Sequence, residues 1–127
     1  MTAKIVLKGR PITKKNSQQI SINRRTGRRF VRPSKAYTEY EEACLWQLKT
    51  YRGPKFTGPV EVKALYYMPN RRSWPDLIGL LQATSDILES AGIIQDDKLI
   101  VSYDGSRIVG IDKQNPRAEI TITEVAT

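Results

Sequence analysis

Two stretches with helical periodicity, each bounded by proline, glycine or a capping residue, alternate with strand-like stretches and restrict the chain to a fold that mixes both elements. The first helix is expected to start at Ser34, as its N-cap, and to end near Gly53-Pro54; the second runs from Asp76 to Gly92. Strand-like patterns cover residues 3–8, 19–23, 28–31, 60–68, 99–103 and 118–123. We therefore predict a single α+β domain over residues 1–127, with a small mixed or antiparallel sheet covered by two helices.

The residue composition excludes several kinds of catalytic site. The chain has no histidine and one cysteine, Cys44, so Ser-His-Asp and Cys-His nucleophiles and imidazole-containing zinc sites are excluded. A single cysteine forms no internal disulfide, which is typical of a reduced intracellular protein. No stretch approaches the roughly 20 apolar residues of a membrane span, and we expect a cytoplasmic protein without membrane contact. Any catalysis has to use carboxylates, lysines or a hard metal ion.

Positive charge is concentrated at the start of the chain. The net charge is +8 and the isoelectric point is near 9.8. Eleven of the 21 lysines and arginines lie before residue 36, and the first acidic residue is Glu39. The remaining 92 residues carry ten basic and thirteen acidic side chains. A basic segment on a mildly acidic body favours a polyanion as partner, with nucleic acid first, although solubility alone or an anionic membrane surface are the alternatives.

Three basic segments are candidates for phosphate contacts. The loop after the first strand is polar and cationic, although a solvated turn explains it equally well. Strand-like alternation on both sides of Gly27 predicts a β-hairpin that displays arginines at its tip. A third cationic pair precedes the second helix. The predicted DNA-binding residues are Lys14, Lys15, Asn16, Arg24, Arg25, Arg28, Arg29, Arg71 and Arg72.

Acidic residues mark both ends of the second helix. Asp76 precedes it, and Asp96-Asp97 follow its glycine stop. Carboxylates beside arginines suit a Mg²⁺-dependent phosphodiester-cleaving site, although an isolated Asp76 is also explained as an N-cap. The helix is about 22 Å long, and residues 92–97 can return at most about 20 Å if they run extended beside it. Asp76 and Asp97 can therefore meet within one chain, with little slack, and a dimer interface is the other geometry that would bring them together.

The acidic helix and its surroundings resemble the RusA family of Holliday junction resolvases. Near the amino terminus, the matching residues are Gly9-Arg10-Pro11, Lys14-Lys15-Asn16-Ser17, Pro33-Ser34 and Ala36-Tyr37. Around the second helix they are Pro75-Asp76-Leu77, Leu80-Leu81, Ala83, Asp86, Leu88, Ala91-Gly92-Ile93-Ile94 and Asp96-Asp97. The resemblance implies a RusA-like fold and a homodimeric endonuclease of bacterial or phage origin, dependent on Mg²⁺ with Mn²⁺ as a substitute. Its implied substrate is the four-way DNA junction of recombination and repair.

The resemblance also implies which residues carry the chemistry. Asp76 and Asp97 correspond to catalytic aspartates of the family, and Asp96 to the acidic neighbour of the second; we expect Asp76 and Asp97 to bind the metal and Asp96 to be a further catalytic residue. Asp86 lies about 15 Å from Asp76 along the helix, so Asp96 or Glu61 is instead the candidate third carboxylate. The family motif, however, has a second aspartate and a lysine where this chain has Ile78 and Gln82. Two hypotheses for the function follow: a resolvase, or a branched-DNA-binding protein of the same fold with lost or weakened cleavage. A basic structural protein without a nucleic-acid role is a third hypothesis.

Overall fold

The computed structural model describes residues 1–14, 18–72 and 74–126. Within those ranges the strands are β1 (Thr2–Lys8), β2 (Gln18–Ile22), β3 (Arg29–Pro33), β4 (Val60–Met68), β5 (Ile100–Ser102), β6 (Arg107–Ile111) and β7 (Arg117–Glu124). The helices are α1 (Lys35–Gln47) and α2 (Leu77–Ser90), with 3₁₀ turns at Leu48–Thr50 and Asp97–Leu99. The predicted α+β class with a mixed sheet is confirmed.

The main sheet has the order β1-β7-β4-β5, with β6 also paired to β4. β7 runs antiparallel to both β1 and β4, whereas β5 and β6 lie parallel to successive halves of β4. The hydroxyl of Ser106 fills the break between β5 and β6, accepting from the Ala64 N–H and donating to the Val62 carbonyl. α2 therefore connects two parallel strands of one sheet, as in a βαβ unit.

One face of this sheet forms the core. Side chains alternate between buried and accessible along β1, β4 and β7, as expected for a sheet covered on one side. The buried set packs with Cys44 of α1, with Leu48 just after that helix, and with Leu80, Ile87 and Leu88 of α2. On the uncovered face Arg117 lies over the Tyr67 ring and between the carboxylates of Asp112 and Glu119.

Both predicted helix starts are confirmed. The Ser34 hydroxyl accepts the Tyr37 N–H, and the Asp76 carboxylate accepts the Gly79 N–H. The first helix ends earlier than expected, because the α-helical turns give way to 3₁₀ geometry at Leu48. There the Gln47 amide is held at the end of β1, where it exchanges two hydrogen bonds with the Lys8 backbone at 2.8 and 3.0 Å.

β6 was not predicted. Its five residues include Gly110, which interrupts the alternation of apolar side chains, and its pairing with β4 shifts register between Tyr66 and Tyr67. The predicted hairpin is present as β2 and β3, which form a separate two-stranded sheet. Over the described ranges, no helix has the length and apolar character needed to cross a membrane.

Candidate active site and nucleic-acid interface

A group of three carboxylates lies where α2 ends. One carboxylate oxygen from each of Glu89, Asp96 and Asp97 lies within 4.8 Å of the others. Backbone bonds fix the group: the Asp97 N–H donates to Glu89 Oε1 at 2.8 Å, and the Lys98 N–H donates to Asp96 Oδ1 at 2.8 Å. Asp96 and Asp97 were predicted site residues. Glu89 was missed, because only the fold brings the last turn of α2 beside them.

The electrostatics of this carboxylate group suit a divalent cation. Partial desolvation, with the adjacent Glu89 charge and a hydrogen bond to Asp96, raises the pKa of the Asp97 carboxyl. Each of these causes opposes ionisation relative to an isolated carboxyl group, and the positive charge of a bound cation would offset the repulsion. Carboxylate oxygens are the ligands that Mg²⁺ prefers, and partial exposure leaves room for the waters it retains. Glu61, the other candidate third carboxylate, is not part of this group.

Asp76 lies at the opposite end of α2. It is the N-cap of the helix, and Glu89 is in its last turn. Thirteen residues of helical rise separate them by about 20 Å along the axis. Because Asp97 is hydrogen-bonded to Glu89, Asp76 and Asp97 are not brought to one cation within the chain.

The path after Gly92 explains this separation. The expectation of an extended return beside α2 is not met, because the chain turns into the core. Ile93 and Ile94 are buried, and the Ile93 carbonyl accepts the Phe56 N–H at 2.8 Å. Gln95 donates in turn to the Phe56 carbonyl. Burial of the two isoleucines therefore directs the segment towards Phe56 and leaves Asp97 beside the end of α2.

A surface cavity of about 300 Å³ lies along the start of α2. Its lining brings Lys14 together with Asp76 and Asp86, so that a predicted phosphate-binding residue and a predicted catalytic acid share one site. Gly79 permits this close packing, because a Cβ at that position would lie 2.9 Å from both Asp76 Oδ1 and Thr13 Cγ2. The Gln82 amide donates to Asp86 Oδ1 at 3.1 Å across the exposed side of the helix.

The arginine-rich hairpin has an ordered turn. The Asn23 side chain accepts the N–H groups of Arg25 and Thr26, and the Asn23 carbonyl accepts the Gly27 N–H at 2.7 Å. Gly27 has φ +70°, in the left-handed region that favours glycine. The turn leaves all four predicted arginines exposed; they are Arg24, Arg25, Arg28 and Arg29.

The loop before α2 presents the other predicted cations. Arg71 and Arg72 are exposed. The Arg72 N–H donates to Asn70 Oδ1, and the Arg72 carbonyl accepts a guanidinium N–H of Arg10 at 3.1 Å, which ties the loop to the amino-terminal segment. Two predicted DNA-binding residues, Lys15 and Asn16, lie outside the described ranges.

Comparison with known proteins identifies the family of the chain. The family model described as "Endodeoxyribonuclease RusA" matches residues 8–123. The chain belongs to the RusA family. It is similar to the crossover junction endodeoxyribonuclease RusA of Aquifex aeolicus (strain VF5), with 30% identity over 80 residues. That alignment covers 57% of this chain and 63% of the relative. The match to the family spans both acidic ends of α2 and the arginine hairpin.

Proposed function

We propose that this protein is a divalent-metal-dependent, structure-selective endodeoxyribonuclease that cuts four-way DNA junctions in recombination and repair. The observation that carries the proposal is the group of Glu89, Asp96 and Asp97, a hard-oxygen site of the kind that binds Mg²⁺. Membership of the RusA family supports the same reaction. Mn²⁺ has the same preference for oxygen ligands and is the expected substitute.

The three carboxylates would hold the metal ion at the end of α2. When held there, a divalent ion would supply activation of water and stabilisation of charge on a phosphodiester. The side chains supply the remaining requirements: Asp97 and Glu89 offer oxygens to the ion, and the backbone bonds to Glu89 and Asp96 keep these carboxylates oriented. Preorganisation of this kind reduces the reorganisation needed during the reaction.

A homodimer explains how Asp76 contributes. Asp76 and Glu89 lie about 20 Å apart on one helix, but antiparallel packing of two α2 helices reverses one relative to the other. A two-fold axis passing near Gln82 and Ala83 would bring Asp76 of each protomer beside the carboxylate group of its partner. Ile78, which is 80% exposed on this side of α2, supplies apolar surface for the contact.

The basic segments would bind the arms of the junction. Lys14 lies in the cavity beside Asp76, Arg71 and Arg72 precede that residue, and the hairpin arginines extend the positive surface. Lys15 and Asn16 belong to the same predicted contact set. Contacts of this type give affinity and orientation with little dependence on base sequence.

A junction-cleavage assay tests the proposal directly. Purified protein with Mg²⁺ or Mn²⁺ should cut a labelled four-way junction, and Asp97→Asn should abolish cleavage. Asp104→Asn, which removes an exposed carboxylate that is not part of the group, is the matched control. Intact junctions with the wild-type protein in both metals, under conditions where it binds them, would refute the nuclease.

Coexpression of two inactive variants tests the dimeric site. Asp76→Asn and Asp97→Asn should each be inactive, whereas the mixed dimer contains one site with both aspartates. That dimer should nick one strand of a junction. If coexpression restores no nicking although mixed dimers form, the two aspartates do not act across the interface.

One observation favours a second candidate function, binding of branched DNA without cleavage. Ile78 and Gln82 occupy positions where the family motif has an acid and a lysine, and both are exposed on α2. If the wild-type protein binds junctions without cutting them, the double substitution Ile78→Asp and Gln82→Lys should create activity. Failure of that variant to cut would weaken the explanation that these two residues abolished catalysis.

A further inference from the structure

The loop before α2 holds one large aromatic side chain in solvent. Trp74 is 40% exposed and is not among the partly buried apolar residues that pack against the core cluster. The part of the ring that stays in solvent contributes no burial energy to the folded state. A single exposed apolar residue has no significance by itself, but the Trp74 ring is held in place by a hydrogen bond from its indole N–H.

The position of the Trp74 ring is fixed by its polar edge. The indole N–H donates to the carbonyl of Asn70, and the Asn70 side chain accepts the Arg72 N–H at 2.9 Å. Arg10 holds the Arg72 carbonyl from the other side at 3.1 Å. Pro75, the next residue, is buried and anchors the loop to the body of the protein. With its hydrogen-bonding edge engaged, the indole has no polar atom left for solvent and contributes only its apolar surface.

The location of the ring points to nucleic acid. Trp74 lies two residues before Asp76, and exposed Arg71 and Arg72 lie on its other side. Among the described residues no cation lies over this ring, in contrast to Trp46, whose ring is 4.7 Å from Lys49 Nζ. Phosphates bound by the two arginines would bring bases next to a flat apolar surface that is already ordered. A rigid aromatic loses little conformational entropy on contact.

We propose that Trp74 stacks on a base at the branch point of the DNA and thereby adds selectivity for junctions over linear duplexes. The proposal rests on the proposed function, since it needs a branched substrate at Asp76. Bases within a continuous duplex are covered on both faces by their neighbours, whereas strand exchange at a branch leaves base faces that are easily uncovered. Stacking of an aromatic side chain on such a face depends little on base identity.

Two single-tryptophan proteins test the contact in solution. Trp46→Phe leaves Trp74 as the only indole, and Trp74→Phe leaves Trp46, which is 70% exposed on α1. Each is titrated in EDTA with a four-way junction and with a duplex of equal length, while fluorescence and gel retention are recorded. The junction should quench the emission of Trp74 strongly and saturably, the duplex should do so weakly, and Trp46 should respond to neither.

Affinity measurements on alanine variants give the second readout. Trp74→Ala should weaken junction binding by about 5- to 150-fold, the range expected for one stacked base, and leave duplex binding unchanged. Trp74→Tyr should recover part of the loss, and Trp46→Ala is the matched control. An equal loss for junction and duplex, or a retained complex in which Trp74 is not quenched, overturns this inference alone. If neither DNA is bound even at low salt, the proposed function fails and this inference fails with it.

Discussion

Replacing Arg24, Arg25, Arg28 and Arg29 together by alanine tests whether the hairpin binds the DNA backbone. All four are exposed, and none forms an ion pair with another described residue. The substitutions should leave the turn intact, because it is held by Asn23 and the glycine conformation at its tip and not by these side chains. Circular dichroism should therefore be unchanged, and any change in binding should report lost charge.

The size of the effect follows from counterion release. Each phosphate contact on duplex DNA contributes about −0.9 to the slope of log affinity against log salt, so four contacts contribute about −3.6. Between 50 and 200 mM salt that slope corresponds to a change in affinity of about 150-fold. The quadruple variant should therefore lose far more affinity at low salt than at high salt. Fluorescence anisotropy with a catalytically inactive protein, at four or more salt concentrations, measures both slopes.

A charge-matched variant separates local contacts from overall charge. Lys49, Arg52, Lys55 and Lys113 are four exposed cations outside the three basic segments. Their replacement by alanine lowers the net charge by the same amount and should leave the slope nearly unchanged. Two results would show that the hairpin is not the principal phosphate-binding surface. One is an equal slope of log affinity against log salt for the wild type and the hairpin variant, and the other is an equal reduction of that slope in both quadruple variants.

Four further predictions concern stability. Mg²⁺ at about 100 times its dissociation constant should raise the melting temperature by about 10 °C; Asp97→Asn should abolish this rise in calorimetry. In EDTA near neutral pH, the melting temperature of Asp97→Asn should exceed that of the wild type. Partial desolvation and the Glu89 charge raise the pKa of Asp97, so the folded wild-type protein loses stability as the pH rises through that pKa. Tyr66→Phe removes a buried hydroxyl that donates a hydrogen bond to the Leu80 carbonyl, and it should lower the free energy of unfolding by about 1–2 kcal/mol in urea denaturation. Tyr67→Phe is the control and should change that free energy little. Gly92→Ala should lower the free energy of unfolding by about 1–2 kcal/mol, because alanine is strained at the φ of +75° although an added Cβ would contact nothing among the described residues. An unchanged midpoint of urea denaturation would contradict this explanation.

The elements with strong local signals were predictable from the sequence. Ser34 and Asp76 cap their helices as expected, and the alternation in residues 60–68 and 118–123 corresponds to β4 and β7. β6 lacked such a signal, because its five residues contain a glycine and its place depends on parallel pairing with β4. Parallel pairing is a long-range property that local alternation does not encode.

The candidate site was predictable in part for a similar reason. Adjacent acids after the glycine stop identified Asp96 and Asp97, but Glu89 joined them only because of the direction the chain takes after Gly92. That direction is set by burial of Ile93 and Ile94 in a core shared with several elements. Sequence spacing limited how far Asp97 could lie from Asp76, and tertiary packing decided the outcome.

The cap at the start of α2 makes the Asp76→Asn variant unusually informative. Asp76 binds the Gly79 N–H through a carboxylate oxygen at 3.0 Å, and an asparagine amide oxygen fulfils that role about as well. Asp76→Asn should therefore remove a negative charge without loosening the helix. Such a protein would be a suitable reagent for crystallising an uncut complex, since any defect it shows in turnover is attributable to chemistry and not to unfolding.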